Sequence, residues 1–327
     1  MPTIFITRLI TDAGIKLLQA SKNFKVKVSA HNRVLSHDEL KKFVKGADAI
    51  LSLLTDKIDG EVMDAAGKQL KVIANYAVGF DNIDLDAAKK RAVIVTNTPG
   101  ELVNESVAEH TVALMLALAH RIAESDRFTK AERYRGWEPM LLTGTLLHGK
   151  VFGIIGTGRI GASAARSAAG LGMKVIYTDL KRDKILEKET GALYASKDEL
   201  LRLADVVSVH VPLLPSTKYL IDTAEFALMK KTAFLINTAR GPIVREKALL
   251  RALKTNRIAG ASLDVFESEP AIDSDLSDRL ELKSFDNVIL TPHTASATIE
   301  ARQQMSEVAA KNIIAVLSGK PALNPAK

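Results

Sequence analysis

Three kinds of polar side chain stand where apolar, strand-like runs give out. Arg240 follows the run 233–237, inside Thr238-Ala239-Arg240-Gly241. Asp264, Glu267 and Glu269 follow the run 258–263, and His293 follows Val288 to Leu290 in Thr291-Pro292-His293. Their chemistries are complementary. An arginine fork grips a carboxylate through two parallel hydrogen bonds and can polarise a neighbouring carbonyl. A histidine exchanges protons near neutral pH, and a carboxylate beside a histidine orients the ring and favours its charged form. Such a set suits the interconversion of a 2-hydroxy acid and a 2-oxo acid. Singly, each residue has a plainer reading, a surface ion pair for Arg240 or a packed ring for His293. Arrival at neighbouring strand ends favours the chemical reading.

A fourth strand end carries a different signal. The apolar run Val151 to Ile155 breaks into Gly156-Thr157-Gly158-Arg159-Ile160-Gly161, an alanine-rich helix follows, and a second strand, Lys174 to Thr178, ends on Asp179. In this order the first glycine makes a tight turn, the second lets the backbone approach a pyrophosphate, and the third lets helix pack on strand. The helix N-terminus offers N–H groups to phosphates, and Asp179 is placed to accept from the adenosine ribose hydroxyls. The segment therefore predicts a dinucleotide site. Asp179 favours NAD by repelling a 2′-phosphate, while Lys181 and Arg182 beside it leave NADP open. His210, inside VSVHVP, reads as a packed neighbour of the cofactor. The other histidines show no ligand spacing, so no metal is expected.

The elements that must position these residues alternate along the whole chain. Strands are expected at 3–7, 47–53, 70–74, 151–155, 174–178, 206–211, 233–237, 258–263 and 288–290. Helices are expected at 12–20, 101–127, 186–190, 245–255 and 298–317, with capping boxes at Ser36-His37-Asp38-Glu39 and Ser196-Lys197-Asp198-Glu199 opening two more. Regular alternation predicts α/β architecture, with doubly wound parallel sheets and ligands at the carboxyl ends of the strands. A small α/β domain precedes the nucleotide domain, and the last helix returns to it. The helix over 101–127 is apolar on nearly every face, so it needs cover all round, for which a subunit interface is the favoured source. Trp137, in RGWEPM, is read either as buried or as part of a mobile segment over a substrate pocket. The tail PALNPAK reads as frayed.

The chain has 327 residues, 47% of them hydrophobic, enough for about two domains. It has no cysteine, which excludes disulfides and thiolate chemistry and fits a cytoplasmic setting. Neither a signal peptide nor an apolar run long enough to span a membrane is evident. The net charge is +7, but the basic residues interleave with acids, as in KRDKILEKE, which reads as solvated helix faces rather than a nucleic-acid surface. A mild positive balance also helps to attract a small anionic substrate.

The residues resemble the D-isomer-specific 2-hydroxyacid dehydrogenases, and within them the glyoxylate/hydroxypyruvate reductase group. The resemblance covers essentially the whole chain, through NYAVGFDNID (75–84), VTNTPG (95–100), GIIGTGRIG (153–161), HVPLLPST (210–217), NTARG (237–241), LDVFESEP (263–270) and TPHTASAT (291–298). It implies two Rossmann-like doubly wound domains, with a discontinuous, flavodoxin-like substrate domain of residues 1–98 plus 294–327 and a nucleotide domain of 99–293. It also implies a homodimer. Arg240 would bind the substrate carboxylate and carbonyl oxygen, His293 would be the general acid/base, and Glu269 its partner. Leu53, Ala77, Val78 and Gly79 would add substrate contacts. Cofactor contacts would come from Gly156, Thr157, Gly158, Arg159, Ile160, Gly161, Asp179, Lys181, Val211, Pro212, Thr217, Thr238 and Ala295, with Asp264 in the nicotinamide surroundings. The expected activity is reduction of glyoxylate or hydroxypyruvate by NAD(P)H. The alternatives are a larger substrate, as in 2-ketogluconate reductases or 3-phosphoglycerate dehydrogenases without their regulatory domain, and a non-catalytic NAD(H)-sensing corepressor. Glu269, where formate-oxidising relatives use glutamine, argues against that reaction. Ser262, where glycine is common, and Thr294-Ala295, where a bulkier aliphatic and a glycine are frequent, depart from the pattern.

Overall fold

The structure, a computed structural model, describes residues 1–21, 23–269 and 281–326. It divides into two units, Met1–Val103 with Ala297–Lys327, and Asn104–Ser296. The first unit contains strands β1 (Thr3–Ile6), β2 (Lys25–Val28), β3 (Ala49–Leu53), β4 (Val72–Tyr76) and β5 (Ile94–Thr96), with helices α1 (Asp12–Ala20), α2 (His37–Phe43), α3 (Gly60–Ala66) and α4 (Leu85–Lys90). The long helix α5 (Glu101–Ala119) leads into the second unit, where α6 (Ile122–Lys130) follows. That unit holds strands β6 (Val151–Ile155), β7 (Lys174–Thr178), β8 (Leu193–Tyr194), β9 (Val206–Val209), β10 (Phe234–Asn237), β11 (Gly260–Leu263) and β12 (Val288–Leu290). Its remaining helices are α7 (Arg159–Gly170), α8 (Lys184–Thr190), α9 (Lys197–Leu203), α10 (Thr223–Leu228) and α11 (Glu246–Lys254). The last helix, α12 (Ile299–Leu317), belongs to the first unit.

The first sheet is parallel in the order β2-β1-β3-β4-β5. Its central strands are apolar and buried on both faces, as a parallel sheet covered by helices requires. Both α2 and α9 begin with the anticipated capping boxes, Ser36 with Glu39 and Ser196 with Glu199. On α12, Met305, Ala309 and Ile313 join a core with Ile4, Ile6, Leu51 and Ala74. Gly14 permits the close approach of α1 to α12, since a Cβ there would lie 2.2 Å from the Ser306 carbonyl oxygen. The tail is not frayed. Asn312, fully buried on α12, accepts from the amides of Leu323 and Asn324, and the Ala326 amide then donates to the Val95 carbonyl.

The second sheet is also parallel, in the order β12-β11-β10-β9-β6-β7-β8. The chain runs outward from β6 to β8 and returns to place β9 on the other side of β6. That reversal is the topological switch point of a Rossmann-type sheet, where crevices for ligands open at the carboxyl ends.

Several expectations need correction. The helix expected over 101–127 breaks after Ala119, because Arg121 adopts a left-handed conformation at φ 54°. The unit boundaries fall at 103/104, inside α5, and at 296/297, a few residues beyond the expected 98/99 and 293/294. The strand expected over 206–211 ends at Val209, leaving His210 in the following loop. Part of α5 is covered within the chain itself. Val103, Val107, Leu114, Met115 and Leu118 are buried within the chain, and the main exposed stripe is Glu101, Glu105, Glu109 and Ala113. By length and composition α5 could cross a bilayer, yet half of it is buried, and its Ser106 and Thr111 hydroxyls are bonded inside the second unit. It is a core helix.

Candidate active site

Gly156 takes φ 97°, and a Cβ there would meet the His210 carbonyl oxygen at 2.7 Å, so the turn after β6 needs glycine on both counts. At Gly161 a Cβ would lie 2.0 Å from the Gly156 carbonyl oxygen, which sets how closely α7 packs on β6. Gly158 differs, since a Cβ there would meet nothing within 4 Å. It is the N-cap of α7, has no side-chain cap, and is followed by the exposed Arg159. The first N–H groups of α7 have no intrahelical acceptor, and the space before them is open, which fits a phosphate. Asp179 lies beside this turn, with Oδ2 accepting from the Thr157 amide at 2.6 Å and its hydroxyl at 3.1 Å. Its other oxygen accepts from the Leu180 amide at 2.6 Å. Arg182 is turned onto Glu187 through two bonds of 3.0 and 3.1 Å, while Lys181 is exposed.

At the end of β10, the buried Asn237 shapes the turn that carries Arg240. Its Oδ1 accepts from the Ala239 amide at 3.1 Å and its Nδ2 donates to the Arg240 carbonyl at 3.0 Å. The guanidinium, half-buried, donates through Nη1 to the Ala239 carbonyl at 2.8 Å. Gly241 presses this turn against the segment after β11, where a Cβ would lie 1.9 Å from the Phe266 carbonyl carbon.

Asp264 is fully buried and organises the segment after β12. Its Oδ1 accepts from the Thr291 hydroxyl at 2.6 Å and the Thr294 amide at 2.8 Å, and its Oδ2 from the Ala295 amide at 2.8 Å. His110 Nε2 lies 3.5 Å from Oδ1 and 3.2 Å from the Thr291 hydroxyl oxygen. Because the Thr291 proton goes to Asp264, His110 is the donor to Thr291. Burial alone would raise the Asp264 carboxyl. The hydrogen bonds from His110, Thr291, Thr294 and Ala295 outweigh it and hold the group below the usual carboxylate range. Within this braced segment His293 adopts φ 57°, its amide donating to the Asp264 and Thr291 carbonyls. Its Nδ1 lies 2.9 Å from Glu269 Oε2, both side chains being about three-quarters buried. The carboxylate makes Nδ1 the protonated donor, which leaves Nε2 for proton exchange.

Arg240, Glu269 and His293 thus lie at the same edge of one sheet, on segments following the adjacent strands β10, β11 and β12. Other expected contacts are placed less directly. The Thr238 hydroxyl is paired with Thr111, and both backbone polar groups of Ala295 are engaged by Asp264 and Ser106. The Thr217 hydroxyl closes its own turn onto the Pro212 carbonyl at 2.6 Å, and Val211 packs on the core. His210 bonds the Ser208 hydroxyl at 2.8 Å, and burial lowers it to about 4, so it is neutral near pH 7. Trp137 is 82% exposed, against the reading of a buried ring. Pro270, which closes LDVFESEP, lies outside the described residues. In the first unit, Leu53 ends β3, and Ala77 to Gly79 follow β4. Sequence reading missed Asn237, Gly241 and His110. The close approach at Gly241 and the pairing of His110 leave no local signature, whereas an amide ending the apolar run FLIN was the available clue to Asn237.

The profile of the D-isomer specific 2-hydroxyacid dehydrogenase NAD-binding domain matches residues 112–295. A glyoxylate reductase from Thermofilum pendens is 47% identical over 326 residues, covering 98% of this chain and 94% of that protein. A protein from Thermus thermophilus of solved structure superposes with a TM-score of 0.90 at 38% identity, covering 99% of this chain and all of the other. A D-lactate dehydrogenase from Aquifex aeolicus, solved with NAD and lactic acid, gives 0.84 at 34% identity over 97% of this chain and 96% of its own. The second unit is therefore an NAD-binding domain of Rossmann type. The chain belongs to the D-isomer specific 2-hydroxyacid dehydrogenases, a family of oxidoreductases.

Proposed function

We propose that the protein reduces a short 2-oxo acid, glyoxylate or hydroxypyruvate, to the 2-hydroxy acid. The observation that carries this reading is the 2.9 Å pair of His293 Nδ1 and Glu269 Oε2, on the same sheet edge as Arg240. Arg240 holds the substrate carboxylate and polarises the carbonyl oxygen. NADH, when bound, supplies the hydride to the carbonyl carbon. His293, charged, passes its Nε2 proton to the carbonyl oxygen, while the Nδ1 proton stays on the ring, donated to the Glu269 carboxylate throughout. Leu53 and the backbone of Ala77 to Gly79 contribute substrate contacts. The high identity to a glyoxylate reductase favours a small substrate over a sugar acid. Steady-state oxidation of NADH with glyoxylate, hydroxypyruvate, pyruvate and 2-ketogluconate tests the assignment. Turnover is expected to be most efficient with the first two, and none with either would overturn it.

The phosphate-accepting turn and α7 would hold the pyrophosphate, and Asp179 the ribose. We propose NAD over NADP, because Arg182 is already engaged by Glu187 and Asp179 opposes a 2′-phosphate. A higher kcat/KM with NADPH than with NADH would reverse this choice.

We also propose a homodimer. The segment from Ala131 to His148 exposes Tyr134, Trp137, Met140 and Leu146, with Ile122 exposed on α6 nearby in sequence. Large apolar side chains gathered on one segment mark an association surface. Light scattering on the purified chain should give twice its 35.4 kDa mass, and a monomer at micromolar concentration would refute the proposal.

A further inference from the structure

After β4 the chain makes a turn whose carbonyls all face inward. The Ala77 carbonyl accepts from the Thr98 amide at 2.9 Å, the Val78 carbonyl from Asn97 Nδ2 at 2.7 Å, and the Gly79 carbonyl from Asn75 Nδ2 at 2.9 Å. Because a trans peptide group is planar, fixing one carbonyl points the next residue's N–H the opposite way. The amides of Val78, Gly79 and Phe80 are thereby directed away from the asparagines, and they find no hydrogen-bond acceptor among the described residues. All three residues are partly exposed. Successive backbone N–H groups left without partners form a concavity suited to an anion.

We propose that Asn97 and Asn75 are positioning residues that aim these backbone N–H groups at the substrate carboxylate. The proposal rests on the reading in which this turn binds substrate. The identity of the side chains follows from the chemistry. Each must donate to a carbonyl, which aspartate cannot do, and Asn75 is itself held in one orientation. Asn75, fully buried, accepts at Oδ1 from the Ser52 hydroxyl at 3.0 Å and from Asn82 Nδ2 at 3.3 Å. Its Nδ2 has a second acceptor in Asn82 Oδ1 at 2.9 Å, so reversing the amide would set like groups against each other. Asn82 in turn donates to the carbonyls of Leu53 at 3.1 Å and Asp56 at 2.9 Å, tying the ends of β3 and β4 together. On the other side the backbone N–H of Asn97 donates to the Asn324 carbonyl at 3.2 Å, which anchors the segment that carries its side chain.

Asn97 is partly exposed, so Asn97→Ala and Asn97→Asp are the variants to make. With NADH saturating, the KM for glyoxylate should rise roughly ten- to a hundredfold, as expected for loss of hydrogen bonds to a charged group. The KM for NADH should stay unchanged, and Asn97→Asp should be the more impaired. The preference for glyoxylate over its uncharged methyl ester should fall in parallel, which a merely structural defect would not produce. A folded Asn97→Ala variant with a wild-type KM for glyoxylate would overturn the proposal. A second readout does not depend on turnover. In the full chain, oxamate should shift the amide NMR signals of Val78, Gly79 and Phe80. If it does so in a protein that reduces no 2-oxo acid, the positioning role stands and the assigned reaction falls. If the signals do not move, the positioning role falls, and this titration decides even if the variants fail to fold.

Discussion

Asp264→Asn separates the bracing of His293 from its chemistry, because the substitution keeps volume and shape while removing the charge and half of the acceptors. Wild-type Asp264 accepts from the Thr291 hydroxyl and Thr294 amide on one oxygen and from the Ala295 amide on the other. Asparagine can serve one side only. In its better orientation the amide oxygen keeps Thr291 and Thr294, and the NH2 group then faces the Ala295 N–H. One hydrogen bond to a charged acceptor is lost, worth about 1.5–3 kcal/mol, and a buried donor is left unsatisfied at a further cost of about 1–3 kcal/mol. A net loss of about 3 kcal/mol corresponds to a fall in Tm of roughly 6–12 °C for a domain of this size. The left-handed His293 would lose the framework that fixes it, and a displacement of about 1 Å can lower a catalytic rate by about a hundredfold.

The pH dependence has a definite sign. The folded-state pKa of Asp264 is depressed, so its contribution is fully present above the unfolded value of about 3.9 and is lost as pH falls through the lower folded value. Thermal melts between pH 3 and 7 should show the wild type losing stability on the acid side and Asp264→Asn losing less of it there. Steady-state kinetics at pH 7 should show kcat/KM reduced by at least about tenfold. A variant with wild-type Tm at pH 7 and wild-type kcat/KM would refute the reasoning.

Three further substitutions probe other parts of the site. Arg240→Lys keeps the charge but not the planar fork, and should lower kcat/KM for the 2-oxo acid by about a hundredfold or more; near-wild-type kcat/KM would remove Arg240 from carboxylate recognition. Gly241→Ala would drive a methyl into the Phe266 backbone at 1.9 Å, and should destabilise by at least about 1–3 kcal/mol in urea melts while lowering activity. Ser262→Ala should do the opposite, since the Ser262 hydroxyl is buried without a partner among the described residues; a gain of about 1 kcal/mol in the same assay is expected, and a loss would show that the hydroxyl is used.

Much of this arrangement was legible in the chain because its signals are local. The glycine turn after β6, the apolar runs of the central strands and the two capping boxes each state their conformation within a few residues. Where the signal was weak, the reading failed. Arg121 breaks the long helix with a positive φ that neither glycine nor proline announces. The edge strand Lys25–Val28 alternates lysine and valine, with its lysines towards solvent, and was passed over. The tail looked frayed because its anchor, Asn312, sits in the middle of α12. The pairing of His293 with Glu269 was implied by family resemblance, but the role of Asp264 in bracing the segment after β12 was not, because its partners lie on a different strand end and on α5.

The side chains that shape these strand-end turns follow one chemical logic. A turn at a strand end carries both N–H and C=O groups, and it can present one kind of group outward only if the other is taken up inside. After β4, the N–H groups are to be presented, so the amide nitrogens of Asn75 and Asn97 take the carbonyls. After β10, only the Arg240 side chain is to be presented. Asn237, an acceptor and a donor at once, takes the Ala239 N–H and the Arg240 carbonyl. After β12, two backbone N–H groups and a hydroxyl must be withdrawn so that His293 can stand clear, and Asp264, which when ionised can only accept, takes all three. The choice between asparagine and aspartate at each site follows from which backbone groups have to be consumed, and interchanging them should damage the site even where size and shape are preserved.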